Sequence, residues 1–269
     1  MLTACAAAQT SRANPTASLT TSPTASLTVA PTVDARAYAI YDDDTGRRLA
    51  SSNADDRLPV GSLMKLLNAY VAYRAGKPEK AVVAPAGLRG AADESVIGID
   101  AGEAITRSVL IRAMLKVSAN DAARLLALDI AGSEERYAKM MNDATADLAL
   151  GDTHAANATG LDADGQYSSA NDLITLGTHL LRNATFRETV REPTAKLNGK
   201  TFANTNDLLG AYTGADGIKT GHTSNAGWCI LASATREGRR IVVVVLGAPT
   251  EESRNHAAQT LLDWGFTQP

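Results

Sequence analysis

Ile241-Val242-Val243-Val244-Val245-Leu246 is a run of six apolar residues, five of them β-branched, with no polar position among them. Alternation would mark a strand with one wet face, whereas a continuous run of this kind is typical of a buried strand. The chain must therefore assemble a sheet around this segment. Further strand-type segments lie at 217–220 and 228–234. Two more lie near the start, at 37–41 and 48–52, joined by the acidic turn Asp42-Asp43-Asp44-Thr45-Gly46. Between these groups, 62–75, 106–116, 120–130, 133–148 and 169–181 read as helices, and 251–264 closes the chain as an amphipathic helix. Residues 76–104 lack clean periodicity and carry several glycines. Strands, helices, strands, helix is the order of an α/β (α+β) fold, with one sheet built from both ends of the chain around a helical insertion.

With 269 residues, 45% of them hydrophobic, the chain can fill one substantial core or two subdomains sharing an interface. Aromatic residues are only 4%, so Ala, Leu, Val and Ile must build that core. The net charge of −3 and the lack of a basic run give no support for a nucleic-acid partner. No apolar run is long enough to cross a membrane.

The N-terminus has a different character. Residues 6–33 are Ala, Ser, Thr and Pro with hardly a charge, and Pro15 and Pro23 each open the same run, Pro-Thr-Ala-Ser-Leu-Thr. Such a segment cannot bury a core, and 6–35 reads as an extended tether. Before it, Leu2-Thr3-Ala4-Cys5 resembles a bacterial lipobox, in which the cysteine is lipidated, so 1–5 reads as a lipobox remnant. The expected anchor is a lipid on Cys5, placing a globular domain of residues 36–269 beside a membrane. The second cysteine, Cys229, sits in an apolar run and reads as a small buried hydrophobe.

Three short motifs carry the chemistry: Ser62-Leu63-Met64-Lys65, Ser118-Ala119-Asn120 and Lys219-Thr220-Gly221. A serine three residues before a lysine on a helix shares a face with it, and a neutral lysine amine can take the serine proton. Burial and a second cation, Lys219, would both depress the Lys65 pKa. Ser118 falls where an N-cap of the following helix is expected. Ser169-Ala170-Asn171 also falls at a helix start; Ser118 is preferred because Asp121-Ala122-Ala123 follows it. Lys219 and Thr220 offer a cation and a hydroxyl to a carboxylate, and Gly221 lets a ligand approach the backbone. Each motif alone is weak, but the ordered set is the one described for penicillin-recognising serine enzymes. The histidines His154, His179, His222 and His256 form no metal-ligand pair, so neither metal nor cofactor is expected.

From about 36 to 266 the chain resembles the low-molecular-mass penicillin-binding proteins, serine D-alanyl-D-alanine carboxypeptidases. The likeness includes Ser118-Ala119-Asn120-Asp121-Ala122, Gly160-Leu161-Asp162, Gly165-Gln166-Tyr167-Ser168-Ser169-Ala170, Asn204-Thr205-Asn206-Asp207-Leu208-Leu209 and Gly217-Ile218-Lys219-Thr220-Gly221-His222-Thr223. The resemblance implies a DD-peptidase/β-lactamase-like fold: an antiparallel sheet flanked by helices plus an all-helical subdomain at about 76–200. It also implies roles. Ser62 would be the acylated nucleophile, Lys65 its base and Ser118 a proton relay. Asn120 would hold the substrate amide and Lys65. Lys219, Thr220 and Arg254 would bind the terminal carboxylate, and the backbone N–H groups of Ser62 and His222 would form the oxyanion hole. The implied partners are a peptidoglycan stem peptide and β-lactams, at an extracytoplasmic site in the cell envelope.

Two positions depart from the family pattern: Met64, where threonine is usual, and Tyr167, where some relatives carry histidine. Many relatives also continue into a C-terminal β-rich domain and an amphipathic anchor. Here the sequence stops at Thr267-Gln268-Pro269, and a lipid on Cys5 is expected to replace that anchor. Trp228 and Trp264 read as core residues. The rivals are a D,D-endopeptidase, a β-lactamase and a non-catalytic peptidoglycan sensor. The candidate deacylating residues Glu188 and Glu192 lack the motif a class A β-lactamase requires.

Overall fold

A computed structural model describes residue 1 and residues 29–88, 91–197 and 199–269. Cys5 and most of the tether lie outside the described residues. The strands are β1 (Ala37–Asp42), β2 (Arg47–Ser52), β3 (Ala81–Val83), β4 (Ala104–Thr106), β5 (Thr194–Leu197), β6 (Lys200–Ala203), β7 (Ala215–Thr223), β8 (Gly227–Arg236) and β9 (Arg239–Ala248). The helices are α1 (Lys65–Ala75), preceded by a 3-10 turn at Gly61–Met64, α2 (Arg107–Lys116), α3 (Asn120–Ala131), α4 (Glu134–Asp147), α5 (Ala170–Leu181), α6 (Ala184–Arg191) and α7 (Glu251–Thr267).

The main sheet has the order β2-β1-β9-β8-β7, antiparallel throughout. Strand β9 is central, which explains its unbroken apolar run. Val242, Val244 and Leu246 belong to the core shared with the helices that follow the first hairpin, including Leu173, Leu176 and Leu180 of α5. Ile241, Val243 and Val245 belong to a second core with Ala257, Ala258, Leu261 and Leu262 of α7. Alternate residues of one strand thus fill two cores, and no position is left for a polar side chain. Cys229 lies in the first core as a free, fully buried thiol, whose pKa burial raises to about 11.

The stretch 76–104, which gave no pattern, holds the short antiparallel pair β3–β4 and an irregular loop between them. Helix α6 and the β5–β6 hairpin were also absent from the sequence reading. The irregular loop is fastened to α3. The fully buried Asp121 carboxylate accepts backbone N–H bonds from Ile97, Gly98 and Ile99 at 3.3, 2.9 and 3.1 Å, and from Ala122 at the start of its own helix at 2.9 Å. A carboxylate at a helix N-terminus is favoured by the helix dipole, and here it also satisfies loop amides with no water to turn to.

Asp121→Ala is therefore expected to destabilise the fold by about 3 kcal/mol, because buried amides lose a charged acceptor. Urea unfolding of the two proteins measures this. A loss below about 1 kcal/mol would mean that the loop amides find other partners.

Candidate active site

The 3-10 turn sets the geometry of the first motif. With about three residues per turn, side chains at i and i+3 eclipse one another, so Ser62 and Lys65 meet, Nζ to Oγ at 2.7 Å. The lysine is fully buried, and its other hydrogen bond is donated to the carbonyl of Thr159 at 2.5 Å. Desolvation, then Lys219, then Arg124 push the Lys65 pKa well below its usual value, and Glu94 opposes them. The Thr159 loop is itself shaped by Asn157, whose Oδ1 accepts from Thr159 N, Thr159 Oγ1 and Gly160 N. Asn68 of α1 donates to Ala158 O at 2.9 Å, and Tyr137 of α4 donates to Asn68, so three elements converge on the base.

Strand β7 runs against this turn. A Cβ on Gly221 would stand 2.6 Å from Val60 O and 3.2 Å from Ser62 N, so only glycine fits. This contact, rather than ligand approach alone, accounts for the glycine of the third motif. It brings Ser62 and His222 to the wall of one cavity of about 520 Å³, shared with Ser118, Asn120, Thr220 and Arg254. Lys219 is buried, and its Nζ donates to Thr220 O at 2.7 Å. Burial, then Arg254, lowers its pKa to about 7. Thr220 Oγ1 lies 2.7 Å from the Thr205 hydroxyl, which also borders the cavity. Arg254, almost wholly buried, donates to Asp207, Glu251 and Asn255.

Four expectations need correction. Ser118 is not the cap of α3: that position is Ala119, without a side-chain cap, and Ser118 sits at φ +61° between α2 and α3. Its hydroxyl has no hydrogen-bond partner among the described residues and borders the cavity. The competing Ser169 is an ordinary cap, accepting from Asp172 N at 3.1 Å. Asn120 does not bond Lys65. Its Nδ2 donates to Glu94 at 2.9 Å, while its buried Oδ1 has no partner. Trp228 is a half-buried wall residue rather than core: the His222 ring stacks on it at 4.1 Å, and the Arg254 guanidinium lies 5.5 Å from its ring centre. Tyr167 does not line the cavity; it packs on His154 and under Arg57.

Met64 is buried directly beside the nucleophile in the first core. Glu192 pairs with Lys116 and Arg112, away from the cavity. Sequence reasoning missed Glu94, Arg124 and Thr159. The first two are 30 positions apart with nothing in the sequence to link them, and Thr159 acts through its backbone carbonyl.

A family profile described as D-alanyl-D-alanine carboxypeptidase matches residues 24–250. D-alanyl-D-alanine carboxypeptidase DacA of Escherichia coli is 36% identical over 246 residues; the match covers 87% of this chain and 61% of DacA, so the chain spans less than two thirds of that relative. Penicillin binding protein 6B from Escherichia coli superposes with a TM-score of 0.84 at 33% identity, covering 90% of this chain and 80% of that one. Penicillin-Binding Protein D2 from Listeria monocytogenes, in its ampicillin-bound form, gives 0.80 at 32% identity, covering 89% and 100%. With the sheet, the helical layer and all three motifs meeting at one cavity, the chain belongs to the D-alanyl-D-alanine carboxypeptidase family and has its mixed α/β penicillin-binding-protein fold.

Proposed function

We propose that this protein is a serine D-alanyl-D-alanine carboxypeptidase that removes the terminal D-alanine of a peptidoglycan stem peptide. The observation that carries the reading is the Lys65 amine: buried, without a carboxylate in hydrogen-bond contact, and 2.7 Å from the Ser62 hydroxyl. A neutral amine there has a lone pair for the Ser62 proton and N–H groups for the Thr159 carbonyl.

Ser62 Oγ attacks the carbonyl carbon of the penultimate D-alanine as its proton passes to Lys65 Nζ. The oxyanion forms beside the backbone N–H groups of Ser62 and His222, where preorganised donors act most strongly. The C–N bond then breaks, and the proton reaches the departing amine through the unbonded Ser118 hydroxyl. Water enters, gives a proton to the same relay and attacks the ester; the proton returns to Ser62 Oγ and the shortened peptide leaves. Thr220, Arg254 and charged Lys219 hold the terminal carboxylate, and Asn120 faces the peptide amide. A β-lactam carries a carboxylate and a strained amide in a comparable arrangement, so it should acylate Ser62. A cell-wall substrate places the reaction outside the cytoplasmic membrane, with Cys5 the proposed lipid attachment point.

Intact mass after benzylpenicillin should show one adduct on the wild type and none on Ser62→Ala, and only the wild type should release D-alanine from a D-Ala-D-Ala peptide. An adduct that survives Ser62→Ala would remove Ser62 from the role of nucleophile.

The pH dependence has a definite sign. The base works when Lys65 is neutral, so activity falls on the acid side. The carboxylate is bound best when Lys219 is charged, so kcat/KM falls as pH rises through about 7. A bell-shaped kcat/KM profile is expected; a rate constant that stays level to pH 9 would exclude Lys219 as the charged carboxylate partner.

A further inference from the structure

One charged pair at the cavity has no part in the acyl transfer just described. The Glu94 carboxylate, only 9% exposed, accepts from Arg124 through two bonds of 2.7 and 3.0 Å, from Asn120 Nδ2 at 2.9 Å and from Ala91 N at 3.1 Å. These partners come from α3 and from the loop before β4, and the neighbouring Asn120 N–H donates to Ser95 O at 2.7 Å. Glu94 borders the same cavity as Ser62 and Ser118. Four such bonds, led by those of Arg124, hold its pKa down at about 2, so it is an anion at any working pH. A surface ion pair would have little consequence. This one is largely enclosed, and it touches a residue of the second motif.

We propose that Glu94 and Arg124 form a positioning pair: they fix the Asn120 amide against the cavity wall and balance the charge that the Lys65 amine experiences. The proposal rests on the acyl-transfer reading above. The geometry supplies its first half, because Asn120 Nδ2 is tied to Glu94 while Oδ1 stays buried and unpartnered. An amide fixed in this way presents its oxygen in a set direction before any substrate arrives.

The second half follows from the charges around Lys65. Lys219 on β7 and Arg124 on α3 disfavour its protonation, and Glu94 on the loop favours it. Ser62 and the Thr159 carbonyl are its uncharged contacts. Arg124 is itself faced by Asp121 of its own helix and Glu134 of α4, the latter at 3.9 Å, and Asp93 lines the cavity beside Glu94. Removing one member of the pair leaves the other uncompensated in a low-dielectric site, and the two removals act on Lys65 with opposite sign.

The test is the rate of benzylpenicillin acylation from pH 4.5 to 9 for the wild type, Glu94→Gln, Arg124→Gln, the double Gln variant and Glu94→Ala. Glu94→Gln should move the acid limb to lower pH and Arg124→Gln to higher pH. Each shift should change the rate on the limb by about threefold, with the double variant returning towards wild type. Glu94→Ala should lower the plateau by about tenfold, because Asn120 loses its anchor, and Glu94→Gln should retain the plateau through its amide oxygen. A pair that merely stiffened the loop would lower all rates without moving the limbs. Limbs that stay in place, or move in the same direction, overturn the proposal while leaving Ser62 acylation intact. A wild type that forms no adduct would sink the acyl-transfer reading itself, and this inference with it.

Discussion

The site depends on one uncomfortable burial. An amine with no exposure and no carboxylate in contact cannot remain charged without a large desolvation penalty. The neutral form fits its surroundings better: it donates to Thr159 O and turns a lone pair towards the Ser62 hydroxyl. That arrangement survives only if water is kept away, and the backbone is packed to keep it away. Gly221 lies where a Cβ would strike Val60 O, and at Gly160 a Cβ would come within 2.2 Å of Gly61 O. Three chain segments therefore touch through backbone atoms around the Ser62–Lys65 turn. The central sheet supplies the rigid edge against which they close, with β7 held by its antiparallel pairing to β8.

The cavity is also polarised along its length. Lys219 and Arg254 lie towards the sheet and α7, where a carboxylate would be held, and Arg254 is kept in place by Asp207, Glu251 and Asn255. Glu94 and Arg124 lie on the opposite, helical side, joined to Asn120. Lys65 stands within reach of both groups and is influenced by charges from each. Its basicity is thus a property of the assembled crevice, not of the Ser-x-x-Lys segment. This explains how a motif so common by chance becomes reactive in only one setting.

Much of the fold was legible because burial leaves a periodic mark. The unbroken run of β9 announced a strand covered on both faces, and α2 to α5 showed their apolar stripes. What failed to show was structure held by specific polar contacts. The loop before β4 has no period because Asp121 and Asn120, not a hydrophobic face, hold it. Helix α6 is a single short amphipathic segment, and β5 and β6 form a four-residue hairpin, too brief to stand out. Within the site, the motif residues were readable but their partners were not. The Glu94–Arg124 pair joins positions 30 residues apart, and Trp228 reads as core until its cross-strand pairing with His222 places it at the cavity wall.

The two Ser-Ala-Asn segments show what separates a structural serine from one available for chemistry. Ser169 has extended backbone angles, caps α5 and engages its oxygen with the Asp172 amide. A hydroxyl in that position contributes about 1 kcal/mol to the helix and is not free to exchange protons. Ser118 adopts a left-handed conformation that non-glycine residues usually avoid, at a cost on the order of 1 kcal/mol. In return it caps nothing, and its hydroxyl faces the cavity that Ser62 shares. The strain is maintained from both sides: α2 ends at Lys116, whose carbonyl accepts from Thr205 N, and α3 is anchored through Asp121 and Asn120. A relay must give and accept a proton in the same turnover, so the serine suited to it is the one whose hydrogen bonds the fold has left unmade. Sequence identity cannot distinguish the two segments; the backbone angle and the missing cap can.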